Sequence, residues 1–411
     1  MLQMERYTLY NKTFLQLDNY LTSLQVYWQF EAFHYSDYPW AETNIALSEF
    51  LDALSDLQLQ HYQQYPDLLY AHIKGFINQL RPFDDALFMI KALPALESDA
   101  PFWLKAGIKG RKWSQISAFA QQVNSPYPIV EWCAGKGHLG RLICWQKQLA
   151  VTSVEWQQTL CDLGTAEAKK MQLPQTFQQT DVLTGEADNY INPACHAVAL
   201  HACGDLHLHL IKQAKKNKPA QLSISPCCYH LTTQTIYQPC SLLGQTSALK
   251  INKQLLKLAV SKQVVSGKRQ SDLSQQEVLW RLAFDELQKH ALKTKNYCPL
   301  PSFPKALLSG QFETFVLWAM ENKSLTFVVP NSLDIFLQQA KKRLKKVRCM
   351  ELISQFFVRP LELWLVYDRA LALQDSGYQV NIASFCDEQV TPRNLLIQAQ
   401  LIAKIEGNND D

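Results

Sequence analysis

Residues 131–140 read EWCAGKGHLG, with glycines at 135, 137 and 140 in G-x-G-x-x-G spacing and Cys133, Lys136 and His138 between them. Such a loop between a strand and a helix lets a ligand approach backbone N–H groups at the positive end of the helix. Glu155 follows Gly137 by eighteen residues in "SVEW". An acidic side chain at that distance, at the end of the next strand, can grip a ribose diol. Further on come three more chemically dense stretches: "LHACGDL" with His201, Cys203 and Asp205, "SPCCYHLT" with Cys227, Cys228 and His230, and Asp181 in "QQTDV". Loop, Glu155 and Asp181 point to a nucleotide-like cofactor; the His, Cys and Asp cluster points to acid–base or nucleophilic work beside it.

These residues need a scaffold that brings strand ends together, and the sequence supplies one. From "PIVEWC" onward, short β-branched runs alternate with helical segments: "VTSVEW", "FQQTDV", "AVALHA" and "AQLSIS", with helices from about 138, 157 and 205. Five strands with helical crossovers predict a parallel doubly wound α/β sheet, Rossmann-like, with its ligand at the carboxyl ends of the strands. Near the end, "RPLELWLVYDRALALQDSGY" reads as a helix that Gly377 can stop, followed by "QVNIASF" and "RNLLIQAQLI". That pair is too closely connected for a crossover and predicts a terminal antiparallel hairpin. The glycine loop serves a dinucleotide or S-adenosylmethionine (SAM) equally. Glu131 at the end of the first strand, Asp181 at the end of the third and the antiparallel finish favour SAM.

The domains expected are a helical accessory domain over 1–100, a cofactor-binding core over 101–230, a mainly helical insert over 231–357, and a helix and hairpin over 358–405 completing the core. The 1–100 region carries apolar and aromatic residues three and four apart. A helix is also expected over "SDLSQQEVLWRLAFDELQKHAL", capped by Ser271 or Asp272. The final "EGNNDD" reads as a free tail.

Composition narrows the rest. The chain has 411 residues, 47% apolar and 19% charged, which fits two or three folded units. No apolar run is long enough for a membrane span and "MLQMERYTLYNKTF" lacks a signal-peptide core, so a cytoplasmic protein is expected. Eleven cysteines are then expected as free thiols. No metal is expected, since "CC" and "H-x-C" lack the C-x2-C separation of a structural zinc site, although adjacent strands four and five could bring His201, Cys203, Cys227 and His230 near one another. His207 and His209 read as surface or partly buried residues. A net charge of +3 makes no case for nucleic acid by itself. Local basic runs do: 109–113 (KGRKW), 212–218 (KQAKKNK) and 341–348 (KKRLKKVR), with Trp113 able to stack on a base.

Taken together, "EWCAGKGHLG", "LHACGDL", "SPCCYHLT" and "TPRNLLIQA" resemble the class I methyltransferase domain of the tRNA 2'-O-methyltransferases that modify the acceptor stem. They equally resemble a set of methyltransferase-like proteins that includes the glutathione-S-transferase-C-terminal-domain-containing protein. The resemblance covers about 105–235 and 358–403. It implies SAM contacts from Glu131, Cys133, Gly135, Lys136, Gly137, Glu155 and Asp181. It further implies that His201, Cys203, Gly204 and Asp205 floor the acceptor side, with Cys227, Cys228 and His230 beside them. Cys133 stands where the family usually has its first glycine. RNA is the implied substrate, with 2'-O-methylation favoured. A ribose hydroxyl is a poor nucleophile, so Asp205 or His201 is expected as base; the alternative is Cys203 or Cys228 adding to a pyrimidine ring. Two other classes stay open: a nicotinamide-dependent oxidoreductase, and a methyltransferase-fold scaffold without activity.

Overall fold

Strands buried on both faces must be largely apolar, and, apart from the polar edge segment Gln175–Gln179, the strand segments between 129 and 227 are of this kind in the computed structural model, which describes residues 2–94, 99–261, 268–294 and 296–402. The strands are β1 (Ile129–Trp132), β2 (Val151–Glu155), β3 (Gln175–Gln179), β4 (His196–Cys203) and β5 (Gln221–Cys227), then β6 (Tyr378–Ser384) and β7 (Leu395–Leu401). Their order in the sheet is β3-β2-β1-β4-β5-β7-β6. The first five run parallel; β7 pairs antiparallel with both β5 and β6. This is the expected Rossmann-like sheet with its antiparallel end, and β7 is the strand that enters between β5 and β6.

The flanking helices are α1 (Leu2–Ser23), α2 (Gly110–Gln121), α3 (His138–Lys147), α4 (Gln158–Lys170), α5 (Asp205–Asn217) and α6 (Val358–Gln374). On α2, Ile116, Phe119 and Ala120 turn inward onto Leu139, Leu142 and Ile143 of α3 and the β1 side chain Ile129. Each of the larger side chains among these, such as Ile116 and Phe119, contributes about 1.5–3 kcal/mol relative to exposure. α6 is buried almost all round, including Glu362, Asp368 and Arg369. Gly377, φ +89°, follows it and lets the chain turn into β6. The apolar stripe Tyr10, Phe14, Leu17, Leu21 of α1 is buried. Tyr10 meets Tyr367 edge-on at 5.3 Å, and Trp364 donates to Asp18 at 2.8 Å.

Two units divide the chain: 1–22, 84–264 and 358–411 form one, and 23–83 with 265–357 the other. The sequence draws its lines instead at 100, 230 and 357. The difference arises because α1 and the segment around 84–94 join the sheet unit, where Leu93 donates to Ser384 O at 2.8 Å. Residues 23–83 in turn share their core with the Asp334–Ser354 helix and the turn after it. Trp28 stacks on Phe357 and Phe83 on Phe356, at centroid distances of 6.4 and 4.6 Å. Helical periodicity shows that a face is apolar and is silent on which distant face covers it.

The helical unit also absorbs most of the 341–348 basic run. Arg343, 4% exposed, pairs with Asp285 at 2.5 Å and Glu286 at 2.7 Å. Lys346 pairs with Asp37 and Asp52, and Arg348 with Asp56. Those charges hold helices together; Lys341 and Lys342 remain exposed. In the same unit the helix expected to be capped by Ser271 or Asp272 begins earlier, at Lys268, and both side chains lie outside the described residues. The "EGNNDD" tail lies outside them too. Among the described residues no helix is long and apolar enough to cross a membrane.

Candidate active site

The carboxyl ends of β1 to β5 bring the chemically dense stretches of the sequence to one edge of the sheet. Between β1 and α3 the chain turns through Cys133, Gly135 and Gly137, with φ of +59°, +58° and +66°. A Cβ on Gly137 would lie 2.4 Å from Gln175 Nε2 and from Phe177 Cζ, so the loop sits directly on β3. Gly135 has no atom within 4 Å of its would-be Cβ and faces open space, where a ligand can approach its backbone.

Glu155, at the end of β2, is the partner of that loop. It is 5% exposed; Gly135 N donates to its Oε2 at 2.8 Å and Gln157 N to its Oε1 at 3.0 Å. Trp156 beside it is 62% exposed, an aromatic face at the sheet edge that sequence reasoning passed over. Asp181 is exposed just beyond β3, where its carboxylate accepts the N–H of Leu183 at 2.9 Å. Cys133 is half-buried. Burial pushes its thiol up, and the charges of Glu155, Cys203 and Asp181 push the same way. Lys136 is exposed, and its carbonyl accepts from Arg141 at 2.8 Å.

Glu131 is placed differently from the other expected cofactor contacts. It is 4% exposed and turns beneath the loop, accepting from Ser153 Oγ at 2.7 Å. Burial raises its pKa to about 7, against the opposing pull of Ser153, the Gly140 N–H, Arg141 and Lys112. Gln175 completes this layer by donating to Gly137 O at 3.0 Å and Ser153 Oγ at 2.8 Å. Glu131 therefore supports the glycine loop from within the sheet, whereas Gly135 faces open space with its N–H held by Glu155. Ser153 and Gln175 were invisible as site residues because polar groups buried within a strand leave no periodic signal.

On the acceptor side, β4 bulges. Its pairing with β5 steps from Leu200–Ser225 to Cys203–Cys227, one extra residue on β4. His201 sits in the bulge at φ +68°, its side chain exposed. Surrounding protein and then the Lys112 charge push its pKa below the ordinary value, so the imidazole is neutral at physiological pH. Gly204 follows; a Cβ there would lie 1.8 Å from Leu231 O, so only glycine lets the turn after β5 close onto α5. Asp205 then ties that turn down, accepting from Thr233 N at 2.7 Å and Thr233 Oγ1 at 3.0 Å. Of the two expected bases, Asp205 is half-buried with its Oδ2 in this staple, and His201 is the more exposed. His230 is half-buried, and its Nδ1 is buried with no hydrogen-bond partner.

His207 is fully buried, where the sequence reads it as a surface or partly buried residue. Its Nδ1 lies 2.9 Å from Ala202 O inside the bulge, and its Nε2 accepts from Arg369 Nε at 2.8 Å. Burial, and then the Arg369 charge, lower its pKa to about 3 and fix it neutral, with Nδ1 as the donor. Arg369, 0% exposed, also donates to Leu365 O and Tyr237 and lies 4.9 Å over the Tyr229 ring. A buried arginine thus holds the histidine that holds the bulge. His209, half-buried, pairs with Asp188 at 2.9 Å and stacks on Trp132.

Of the basic segments in this unit, 109–113 opens α2, with Lys109, Arg111 and Lys112 exposed. Trp113, expected to stack on a base, is instead partly buried against the core. Segment 212–218 closes α5, a helix that starts at the site and ends about 20 Å away. Its charges therefore sit at the opposite edge of the sheet, where Lys218 donates to Ser376 O at 2.5 Å.

Residues 111–235 match the model of a family described as a methyltransferase domain. No curated protein matches the chain. Among solved structures, Pyrococcus abyssi tRNA (uracil-54, C5)-methyltransferase in complex with S-adenosyl-L-homocysteine matches at 15% identity over 27% of this chain and 27% of that one, TM-score 0.22. Streptomyces coelicolor A3(2) geranyl diphosphate C-methyltransferase matches at 10% identity over 44% of this chain and 64% of that one, TM-score 0.25. The chain spans about a quarter of the first and under two thirds of the second. The strand order with its antiparallel end is that of a Rossmann-like class I methyltransferase fold, and the part of the chain that carries its parallel strands, 111–235, is similar to a methyltransferase domain.

Proposed function

We propose that the chain transfers a methyl group from SAM to RNA, with a ribose 2'-hydroxyl as the favoured acceptor. The observation that carries this reading is His201: an accessible imidazole in the β4 bulge, its pKa pushed below the ordinary value, at the same sheet edge as the Gly135–Glu155 pair. SAM supplies an electrophilic methyl group, and the residues around it position the acceptor and take its proton. Gly135 offers the open backbone approach, Glu155 the ribose acceptor, and Trp156 a face for the adenine. His201 accepts the hydroxyl proton, which a neutral imidazole can do and a protonated one cannot.

RNA is favoured by one local surface. Lys109, Arg111 and Lys112 are exposed, preceded by Phe102 and Trp103 at 77% and 44% exposure. Positive charge interleaved with accessible aromatic rings suits phosphates and unstacked bases. The Lys112 charge also lowers the pKa of His201 and His138 and opposes the rise at Glu131, consistent with this surface serving the same site.

The test is transfer of tritium from methyl-labelled SAM to tRNA and rRNA prepared from cells lacking the protein, followed by nucleoside mass spectrometry. Label recovered in a 2'-O-methylnucleoside supports the reading. Label on a base keeps RNA and overturns the acceptor; label on protein, or none despite SAM binding by calorimetry, overturns RNA.

A further inference from the structure

Three thiols meet at the acceptor edge of the sheet. Cys203 ends β4, Cys227 ends β5 and Cys228 follows it; their Sγ atoms all lie within 4.8 Å of one another, and those of Cys203 and Cys227 are 3.3 Å apart. Cys227 is 5% exposed, while Cys203 and Cys228 are half-buried, so the cluster is closed behind and accessible in front.

The backbone is bent to produce this convergence. The β4 bulge inserts the residue that sets Cys203 beside Cys227, and Cys228 takes φ +46°, a left-handed conformation that a non-glycine residue adopts only when its surroundings enforce it. Those surroundings are specific: His207 and Arg369 hold Ala202, and Asp205 holds the turn after Cys228 through Thr233. Cysteines that merely fill space need no such arrangement.

We propose that Cys203, Cys227 and Cys228 bind a zinc ion. Thiolates at about 2.3 Å from tetrahedral zinc stand about 3.8 Å apart, so the sulfurs need small shifts from their present spacing. Binding releases the thiol protons to solvent and changes no oxidation state. Three protein ligands leave a fourth position for water or for His230, two residues beyond Cys228, whose Nδ1 has no hydrogen-bond partner. Two of the ligands are adjacent and the third lies on the neighbouring strand, a spacing unlike the paired C-x2-C of structural zinc sites, so only the pairing of β4 with β5 brings them together. The inference stands apart from the methyl-transfer reading, since the metal can be measured without turnover.

The experiment is cobalt(II) titration of the full, reduced, metal-free chain followed by competition with zinc, with zinc per chain measured by mass spectrometry after isolation. One equivalent of cobalt with intense thiolate charge-transfer absorption, displaced by zinc, is expected. Cys203→Ser and Cys228→Ser should each lower zinc affinity by about 100-fold, at or beyond what losing an outer partner costs. Cys298→Ser, in the helical unit, should leave it unchanged. No charge-transfer band in the wild type, a band that survives the Cys203→Ser/Cys228→Ser double substitution, or a Cys203–Cys227 disulfide in freshly isolated protein would overturn the proposal.

Discussion

The carboxylate of Glu155 at the end of β2 receives the backbone N–H of Gly135 at 2.8 Å, so the glycine loop and the acid proposed to hold the cofactor ribose are one hydrogen-bonded unit. A second N–H, from Gln157, occupies its other oxygen. Glu155→Gln keeps the shape and replaces one acceptor oxygen by a donor. One of the two N–H groups then loses its partner, at a cost of about 1.5–3 kcal/mol for a hydrogen bond to a charged group. Urea unfolding should show that loss, and calorimetry should show SAM affinity falling by more than tenfold. Unchanged SAM binding would remove Glu155 from the cofactor site.

The two loop glycines should fail in different ways. Alanine at Gly137 meets Gln175 and Phe177 at 2.4 Å, and at φ +66° it is strained as well. Stability should fall by about 2 kcal/mol or more, the sum of overpacking and left-handed strain. Alanine at Gly135 meets nothing within 4 Å, so only the φ +58° strain of about 1 kcal/mol applies. Its methyl group projects where the ligand must come, and SAM binding should drop while the melting temperature changes little. A pair of melting curves with a pair of calorimetric titrations distinguishes the cases; equal melting losses would refute the distinction.

What the sequence conveyed and what it withheld follow from where each signal resides. Strand and helix periods, the glycine spacing and the antiparallel finish are local patterns, and the sheet order and the Gly135–Glu155 pairing follow them. Glu131 was legible as a strand-end acid, but its direction depends on Ser153 and Gln175 across two neighbouring strands. The 341–348 run reads as a basic patch because its acidic partners, Asp37, Asp52 and Asp285, lie far away in the chain. Likewise, nothing in "HACGDLHLH" shows that His207 points inward to a buried arginine 162 residues on.

Trp156 tests the adenine side of the site. It is 62% exposed next to a buried glutamate, and its ring is available for stacking. Trp156→Ala should leave unfolding unchanged within about 0.5 kcal/mol, as surface substitutions generally do. Loss of a stacking partner, about 1–3 kcal/mol, should weaken SAM roughly 5- to 150-fold. Calorimetry measures this directly, and an unaltered affinity would place the adenine elsewhere.

The His207–Arg369 pair predicts a pH dependence of stability. His207 has its folded pKa lowered to about 3 from an ordinary 6.5, so between those values the unfolded chain holds the extra proton. Its contribution is fully present above 6.5 and is lost as pH falls toward 3, by up to about 1.4 kcal/mol per pH unit. His207→Gln can still donate to Ala202 O and accept from Arg369, and it cannot be protonated. The variant should lose less stability than the wild type between pH 7 and pH 4.5 in matched urea melts. Parallel curves would mean that His207 is not buried neutral against Arg369.

The same logic at His201 bears on turnover. A base must be unprotonated to act, and His201 has its pKa pushed below 6.5 by its surroundings and by Lys112. The rate at saturating RNA should rise with pH below about 6.5 and be level from 7 upward, because there the imidazole is already neutral. Lys112→Ala removes a positive charge that opposes protonation, so the rising limb should move to higher pH with the plateau kept. His201→Asn should lower kcat by about 100- to 10,000-fold, the usual worth of a positioned base, and abolish the limb. Asp205→Asn weakens the Thr233 staple and should reduce stability while leaving the limb in place. If the limb survives in His201→Asn and vanishes in Asp205→Asn, the proton goes to Asp205 instead, and the bulge positions the acceptor without taking part in its chemistry.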